Sequence, residues 1–323
     1  MGRACGTVLI CLRALRAGRR RDRFIPAVGG GAVKLRWPIV LLVLSAAAAC
    51  GRARQEGPDE RLTVMASILP LADFVRQIGG ERVRVDVLVE PGASPHTFEL
   101  VPSQLRAASK ARLLVLNGVG LEYWAERLIS AAGNPRLIVV DTSEGLPIIA
   151  GDADEPGGNP HIWLSPRNAM HQVRKIRDAL MRCDPGGAPT YEANSARYLD
   201  LLEMLDREIA REAAGFTHRE FVAFHAAWAY FARDYGLKEA GVIERRPGQE
   251  PSPEDIAAIV RLVRSSGARA IFAEPQFSAK IAEAIAEEAG ARVLFLNPLG
   301  IPPDYGYLDT MRYNLRQIAE ALR

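Results

Sequence analysis

Three of the five histidines in the 323-residue sequence stand where an α/β protein places its ligands. His96 and His225 each follow a predicted strand, and His161 lies in a loop rich in glycine and proline. Open parallel sheets bind ligands at the carboxyl ends of their strands, so imidazoles from two sheets could converge in one cleft. Neutral imidazole is a common ligand of Zn²⁺, and three histidines leave one position of a tetrahedral site for a further ligand. The three side chains are therefore candidate ligands of a transition metal.

The elements that must position these histidines begin at residue 62. Short runs suited to β-strands alternate there with amphipathic stretches, a pattern that predicts a parallel α/β architecture. The predicted strands are 62–66, 83–89, 113–117 and 137–140, followed by 221–224, 239–242, 270–273 and 292–296. We therefore expect an α/β fold with two lobes, each a mainly parallel four-stranded sheet flanked by helices.

A long helical segment separates the two sets of strands. Tyr191, Tyr198, Leu202 and Ile209 recur in it at helical spacing. At about 1.5 Å per residue, a helix from 190 to 214 spans roughly 37 Å, enough to run the length of two lobes. We expect a rigid connecting helix at 189–215, between an N-terminal lobe at 62–188 and a C-terminal lobe at 216–323.

The residues before this fold have the pattern of an export signal and a tether. Lys34 and Arg36 precede an unbroken run of apolar and small residues at 39–49 that is too short to cross a bilayer, and Cys50 follows. Ala-Ala-Ala-Cys at 47–50 resembles a degenerate bacterial lipoprotein cleavage box, with Cys50 as the lipid-bearing residue. Residues 1–49 are then a leader whose true start could lie near Val33, and 50–61 form a flexible tether. A twin-arginine signal at 19–23 is the weaker alternative.

The charge of the chain argues against a nucleic-acid partner. The formal net charge is +3, but nine of the 41 basic residues and one of the 38 acidic residues lie in residues 1–49, so the remainder carries a charge of about −5. A nucleic-acid-binding domain would instead show a basic surface. Beyond Cys50 only Cys183 remains, which leaves no pair for an internal disulfide.

Four motifs surround the candidate ligands and give the chain a family resemblance. They are PGASPHTFEL at 91–100, PHIWLSP at 160–166, FHAAWAYF at 224–231 and IFAEPQF at 271–277. In combination they resemble the metal-specific solute-binding proteins of ABC importers, the zinc and manganese group whose two lobes are joined by a rigid helix. The resemblance covers residues 62–322. It implies a binding protein, not an enzyme, that captures an ion outside the cytoplasmic membrane and hands it to a membrane permease.

The resemblance also implies a ligand set. His96 and His161 would bind the ion from the first lobe, and His225 from the second. A histidine at the third position resembles the zinc members, whereas manganese members commonly have glutamate there, because carboxylate suits the harder ion. We therefore expect Zn²⁺, with Mn²⁺ or iron as alternatives in the same role.

The fourth ligand departs from the family pattern. The family usually has aspartate where this sequence has Asn297, and a neutral amide oxygen is a weaker zinc ligand than a carboxylate. We expect Asn297 near the ion, either coordinating it or just behind a ligand. The alternatives are a water or hydroxide, Asp304 in the following loop, or Glu274 at another strand end.

Two further functions are compatible with three histidines. A zinc hydrolase would need a general base, for which Glu274 is a candidate, but the sequence lacks the HExxH signature. A metal-binding adhesin would use the same site without an importer. We expect the uptake role, for a monomer at the periplasmic or outer face of the cytoplasmic membrane, anchored through lipid on Cys50.

Overall fold

Two parallel sheets of four strands organise the computed structural model, which describes residues 61–151, 157–244, 248–300 and 305–323. The first sheet, in the order β2-β1-β3-β4, contains β1 (Leu62–Ala66), β2 (Val83–Val87), β3 (Leu113–Leu116) and β4 (Ile138–Asp141). The second, in the order β6-β5-β7-β8, contains β5 (Glu220–Ala223), β6 (Lys238–Val242), β7 (Ala270–Ala273) and β8 (Arg292–Phe295). The second sheet repeats the topology of the first, and in each the strand order reverses beside the central pair, β1 and β3 or β5 and β7.

Helices flank both sheets, and prolines or serines start several of them. The helices are α1 (Leu69–Gly79), α2 (Pro102–Ala108), α3 (Ala125–Ala132), α4 (Pro166–Cys183), α5 (Ala188–Ala214), α6 (Ala229–Tyr235), α7 (Pro253–Ser266), α8 (Ala279–Ala289) and α9 (Tyr307–Leu322). At the start of α4, the Ser165 hydroxyl accepts a hydrogen bond from the Asn168 backbone N–H, and Pro166 occupies the first turn. This cap ends the loop of His161 at a defined point.

The helix α5 connects the two halves of the fold. Its 27 residues correspond to about 40 Å, and its buried side chains recur at helical spacing on one face. It packs against α1 and α4 on one side of the molecule and against α6 and α9 on the other. The predicted long connecting helix is therefore present, and it is supported along its length by both lobes.

A single apolar core runs across the two lobes. It includes Val64 of β1, Phe74 of α1, Leu205 of α5, Phe221 of β5 and Ile318 of α9, all at most 1% exposed. Smaller clusters fill the opposite faces of the two sheets. Because close-packed interiors resist sliding, a large rotation of one lobe against the other would disrupt this shared core.

Buried hydrogen bonds reinforce the junction at the start of α9. The Asp73 carboxylate on α1 accepts hydrogen bonds at 3.1 Å from both the Tyr307 backbone N–H and the Tyr198 hydroxyl on α5. The Tyr307 hydroxyl donates to the Trp163 carbonyl at 2.7 Å. The last helix is thus tied to the first lobe and to the loop that carries His161.

The predicted α/β fold with two four-stranded parallel sheets is confirmed. Strand β2 ends at Val87, although Leu88 and Val89 still donate backbone hydrogen bonds to Ala66 and Ser67 at 2.9 Å. The sequence predicts a helix at 226–235, but α6 begins only at Ala229, because the preceding residues form a tight turn. No helix in the described part of the chain is long and apolar enough to cross a membrane. The predicted leader, the tether through residue 60, and Cys50 lie outside the described residues, and the domain boundaries stay predictions.

Candidate metal centre

His96 reaches the site from the loop that follows β2. It lies in a short 3₁₀ turn, Pro95–Thr97, that Pro95 helps to begin. The residue is half-buried, which makes it the most accessible of the three histidines. Its Nε2 atom lies 3.0 Å from Nε2 of His161.

His161 is held from behind by Asn159. The Asn159 amide donates through Nδ2 to the Ala226 carbonyl at 2.6 Å, which fixes its orientation and turns its oxygen toward His161. That oxygen lies 3.0 Å from both the backbone nitrogen and the ring Nδ1 of His161. An amide oxygen only accepts, so Nδ1 carries the proton and Nε2 keeps a free lone pair. The Asn117 side chain supports the same loop by donating to the Pro160 carbonyl at 2.8 Å.

His225 follows the central strand β5 and is held by Glu274, which follows the neighbouring strand β7. Its Nδ1 lies 2.6 Å from the Glu274 Oε1 atom. Gln276 donates through Nε2 to the other carboxylate oxygen at 2.6 Å. A carboxylate at this distance fixes the proton on Nδ1, so the Nε2 lone pair of His225 also faces the site. The pair lies where the strand order of the second sheet reverses, the usual position of ligand sites in such sheets.

The three Nε2 atoms converge on one point. The separation from His225 to His161 is 3.1 Å, and the possible ligand atoms of all three histidines lie within 4.8 Å of one another. Among the described residues, they form the one group of three or more His, Cys, Asp or Glu side chains able to hold a metal ion. A tetrahedral Zn²⁺ with Zn–N near 2.05 Å separates its ligands by about 3.3 Å, close to the two separations of 3.0 and 3.1 Å.

The space between the histidines suits a single ion. It measures about 10 Å³, the room of about one water molecule. Its walls come from both lobes and are largely apolar; they include Ser94, Pro95, Trp163, Gln276, Phe277, Pro298 and Leu299. The Trp163 indole N–H donates to the Pro298 carbonyl at 2.8 Å and so joins the walls across the lobes. These apolar walls strengthen electrostatic interactions inside the pocket.

Burial and charge set the protonation of the three rings differently. Burial, together with the charge of His225, lowers the pKa of His96 to about 3. The same effects lower the pKa of the fully enclosed His161 well below its usual value. Burial also opposes the charged form of His225, but the carboxylates of Glu274, Glu239 and Glu244 outweigh it and raise the pKa. Two rings are thus neutral and ready to bind a cation, and when His225 is protonated its second proton lies on Nε2, where a cation must displace it.

The residues considered for the fourth ligand lie around this pocket. Asn297 follows β8, and its side-chain oxygen accepts hydrogen bonds from the backbone N–H groups of Leu299 at 3.2 Å and Gly300 at 2.7 Å. It lines a neighbouring cavity of about 230 Å³. Glu274 lies behind the ring of His225, and both of its oxygens are engaged. Asp304 falls outside the described residues.

Sequence reasoning missed two side chains that orient the site. Asn159 is two residues before His161, and that spacing lets one amide oxygen reach both the ring and the backbone nitrogen of the histidine. Gln276 is two residues after Glu274 and holds its carboxylate. The signal in the sequence that could have found them is a polar residue two positions from His161 or Glu274. The partners themselves depend on the fold, because Ala226, which orients Asn159, lies 67 residues further along the chain.

The fold and the site together define a metal-binding protein of the two-lobed solute-binding class. Residues 64–321 match the family described as ZnuA, zinc-uptake complex component A, periplasmic. The chain belongs to this family. The family expected from the sequence is thereby confirmed, and so is the expectation of a binding component of metal uptake instead of an enzyme.

Individual relatives include both zinc and manganese proteins. The high-affinity zinc uptake system protein ZnuA of Bacillus subtilis is 29% identical over 85% of this chain and 93% of its own. The manganese-binding lipoprotein MntA of Halalkalibacterium halodurans is 30% identical over 88% of this chain and 97% of its own. A crystal structure of ZnuA is 37% identical, with a TM-score of 0.75 over 81% of this chain and 99% of that one.

Proposed function

We propose that this protein captures Zn²⁺ between its lobes, with Nε2 of His96, His161 and His225 as ligands. The observation that carries the proposal is the convergence of the three Nε2 atoms, at 3.0 and 3.1 Å, in a pocket with room for one ion. The hydrogen bonds behind two of the rings support it. Asn159 and Glu274 keep protons on Nδ1 of His161 and His225, so the Nε2 lone pairs of the neutral rings are directed at the pocket.

The donor set favours zinc over manganese. Three imidazole nitrogens suit Zn²⁺, whereas Mn²⁺ and iron in uptake proteins gain from carboxylate oxygens. Relatives named for either metal match this chain, so the family does not choose between the two. Among the described residues, no acidic side chain joins the three histidines as a potential ligand. The nitrogen-only set therefore supports Zn²⁺, with Mn²⁺ as the second candidate.

We assign the fourth position to water, with Asn297 close behind it. The Asn297 oxygen already accepts two backbone hydrogen bonds, so direct coordination would compete with the turn that Leu299 and Gly300 form. The site then has three neutral protein ligands and keeps the full +2 charge of the ion.

Membership of this family supports delivery of the ion to an ABC-transporter permease. The loaded protein, a monomer tethered by lipid on Cys50 at the outer face of the cytoplasmic membrane, docks to the permease and releases the ion there. The shared core and the interlobe hydrogen bonds argue for release through local loop movement, and the accessible His96 loop is the best placed to move. Palmitate labelling of cells would test the anchor, because Cys50→Ala should abolish the label.

Metal competition tests the proposed cargo. The full chain, stripped of metal, would be titrated with Zn²⁺ and with Mn²⁺ against chelators of known affinity at pH 7.5. We expect one equivalent of Zn²⁺ bound at least 100-fold more tightly than Mn²⁺, as nitrogen donors imply. Equal affinities, or a preference for Mn²⁺, would contradict the zinc proposal. No binding of either metal would contradict the site.

A further inference from the structure

Glu274 is a buried carboxylate that, among the described residues, forms its one ion pair with His225. Its side chain is 0% exposed, and that of His225 is 6% exposed. Its two oxygens each accept one hydrogen bond, from His225 Nδ1 at 2.6 Å and from Gln276 Nε2 at 2.6 Å. A buried carboxylate held by only two donors is costly unless a positive charge lies within reach. In the metal-free protein the His225 ring, paired with Glu274 at 2.6 Å, supplies that charge when it is protonated, and a cation bound on the opposite side of the ring would take its place.

The three histidines differ in what holds them. The far nitrogen of His161 faces a neutral amide oxygen, that of Asn159. The far nitrogen of His225 faces a full negative charge. A carboxylate bonded to the remote nitrogen fixes the ring orientation and raises the basicity of the ligating nitrogen. His225 should therefore be the strongest donor of the three.

Gln276 holds the carboxylate in this orientation. It lies in the wall shared by the ion pocket and the adjacent cavity of about 230 Å³ that Asn297 also lines. The amide donates inward to Glu274, so the acidic group cannot rotate away from His225 without losing a hydrogen bond. The chain of contacts from the pocket wall to the ligand is thus Gln276, Glu274, His225.

We propose that Glu274, locked by Gln276, is the positioning residue that orients His225 and supplies the negative charge that the ligand set lacks. This inference rests on the proposed function, since it assumes that the three histidines bind Zn²⁺. The carboxylate acts through the imidazole from behind, without touching the ion. It takes over part of the charge neutralisation that an acidic residue at position 297 would provide. Glu274 therefore sets how tightly the site retains zinc.

Paired variants test the role of the charge. Zinc affinity would be measured by chelator competition for the full chain and for Glu274→Gln, Glu274→Asp, Gln276→Met and Glu239→Gln. Glu239 is the matched control, because it is a second buried acid near His225 that makes no hydrogen bond to the ring, and burial raises its pKa to about 8, so it is mostly protonated at neutral pH. We expect about a 10- to 100-fold loss in Glu274→Gln, as for other outer partners of metal-bound histidines. Glu274→Asp should bind zinc more tightly than Glu274→Gln but less tightly than the wild type. Gln276→Met should lose less zinc affinity than Glu274→Gln, and the zinc affinity of Glu239→Gln should stay within about threefold of the wild type.

The tautomer of His225 gives a readout independent of zinc. In the metal-free wild type at alkaline pH, ¹⁵N NMR of the histidine rings should show His225 protonated at Nδ1, and Glu274→Gln should show a mixture of the two tautomers. The inference is overturned if wild-type His225 carries its proton on Nε2. It is also overturned if Glu274→Gln binds zinc as the wild type does, or if Glu239→Gln loses as much as Glu274→Gln. Failure of the proposed function looks different, because the wild type and Glu239→Gln would then both fail to bind zinc.

Discussion

The protonation of the three histidines makes a numerical prediction about zinc binding. At pH 5.5, three ordinary histidines with pKa near 6.5 would each be about 0.9 protonated, and Zn²⁺ would displace about 2.7 protons. In this structure the pKa of His96 is lowered to about 3 and that of His161 well below its usual value, so both are already neutral at that pH. The pKa of His225 is raised, so its ring carries a full proton. We therefore expect the histidines to release about one proton, and zinc affinity to fall about tenfold per pH unit as pH is lowered below the pKa of His225.

Calorimetry in two buffers of different ionisation enthalpy would count the protons. One other group could add to the count, because burial raises the pKa of Glu239 to about 8 and the incoming charge could expel its proton. The Glu239→Gln variant removes that contribution, so its count reports His225 alone. A release near three protons at pH 5.5 in this variant would refute the reasoning, since it would mean that burial does not keep His96 and His161 neutral.

Three further outcomes follow from the same structure. Asn297→Asp should tighten zinc binding by at least about tenfold in chelator competition. The reason is that a carboxylate keeps the two turn hydrogen bonds and adds a negative charge near the ion. Unchanged or weaker binding would count against the placement of Asn297. Trp163→Phe should lower the free energy of unfolding by about 1–3 kcal/mol in urea titrations, because the buried Pro298 carbonyl loses its donor. An unaltered midpoint of urea unfolding would show that this contact does not stabilise the junction of the lobes. Crystals of the metal-free and zinc-loaded protein should superpose without a lobe rotation of tens of degrees, because one core spans both lobes.

Much of the fold follows from local sequence patterns. Strands β1 and β7 begin and end at the residues that the sequence pattern predicts. The connecting helix follows from the spacing of Tyr191, Tyr198 and Leu202, whose side chains are all buried. The differences lie at element ends, as at Ala229, where tertiary contacts and a tight turn override helical propensity. Parallel pairing follows from the alternation of strands and helices, but the order of strands within each sheet does not.

The site was less accessible to sequence reasoning. The strand-end positions of His96 and His225 predicted that they would face a cleft, and the structure brings them together with His161. The partners behind the rings depend on contacts between residues far apart in the chain, such as Glu274 with His225, 49 residues away. Glu274 had been considered as a ligand or a base, and its contact behind the ring could not be read from its type. The position of Asn297 close to the ion stays a prediction.

Native mass spectrometry of the protein purified from its own cell envelope tests the central claim most directly. The wild type should carry one zinc ion per monomer, and His225→Ala, purified in parallel, should carry none, because it loses one of three converging nitrogen ligands. Zinc retained in full by His225→Ala, or a wild type that carries manganese in place of zinc, would contradict the account.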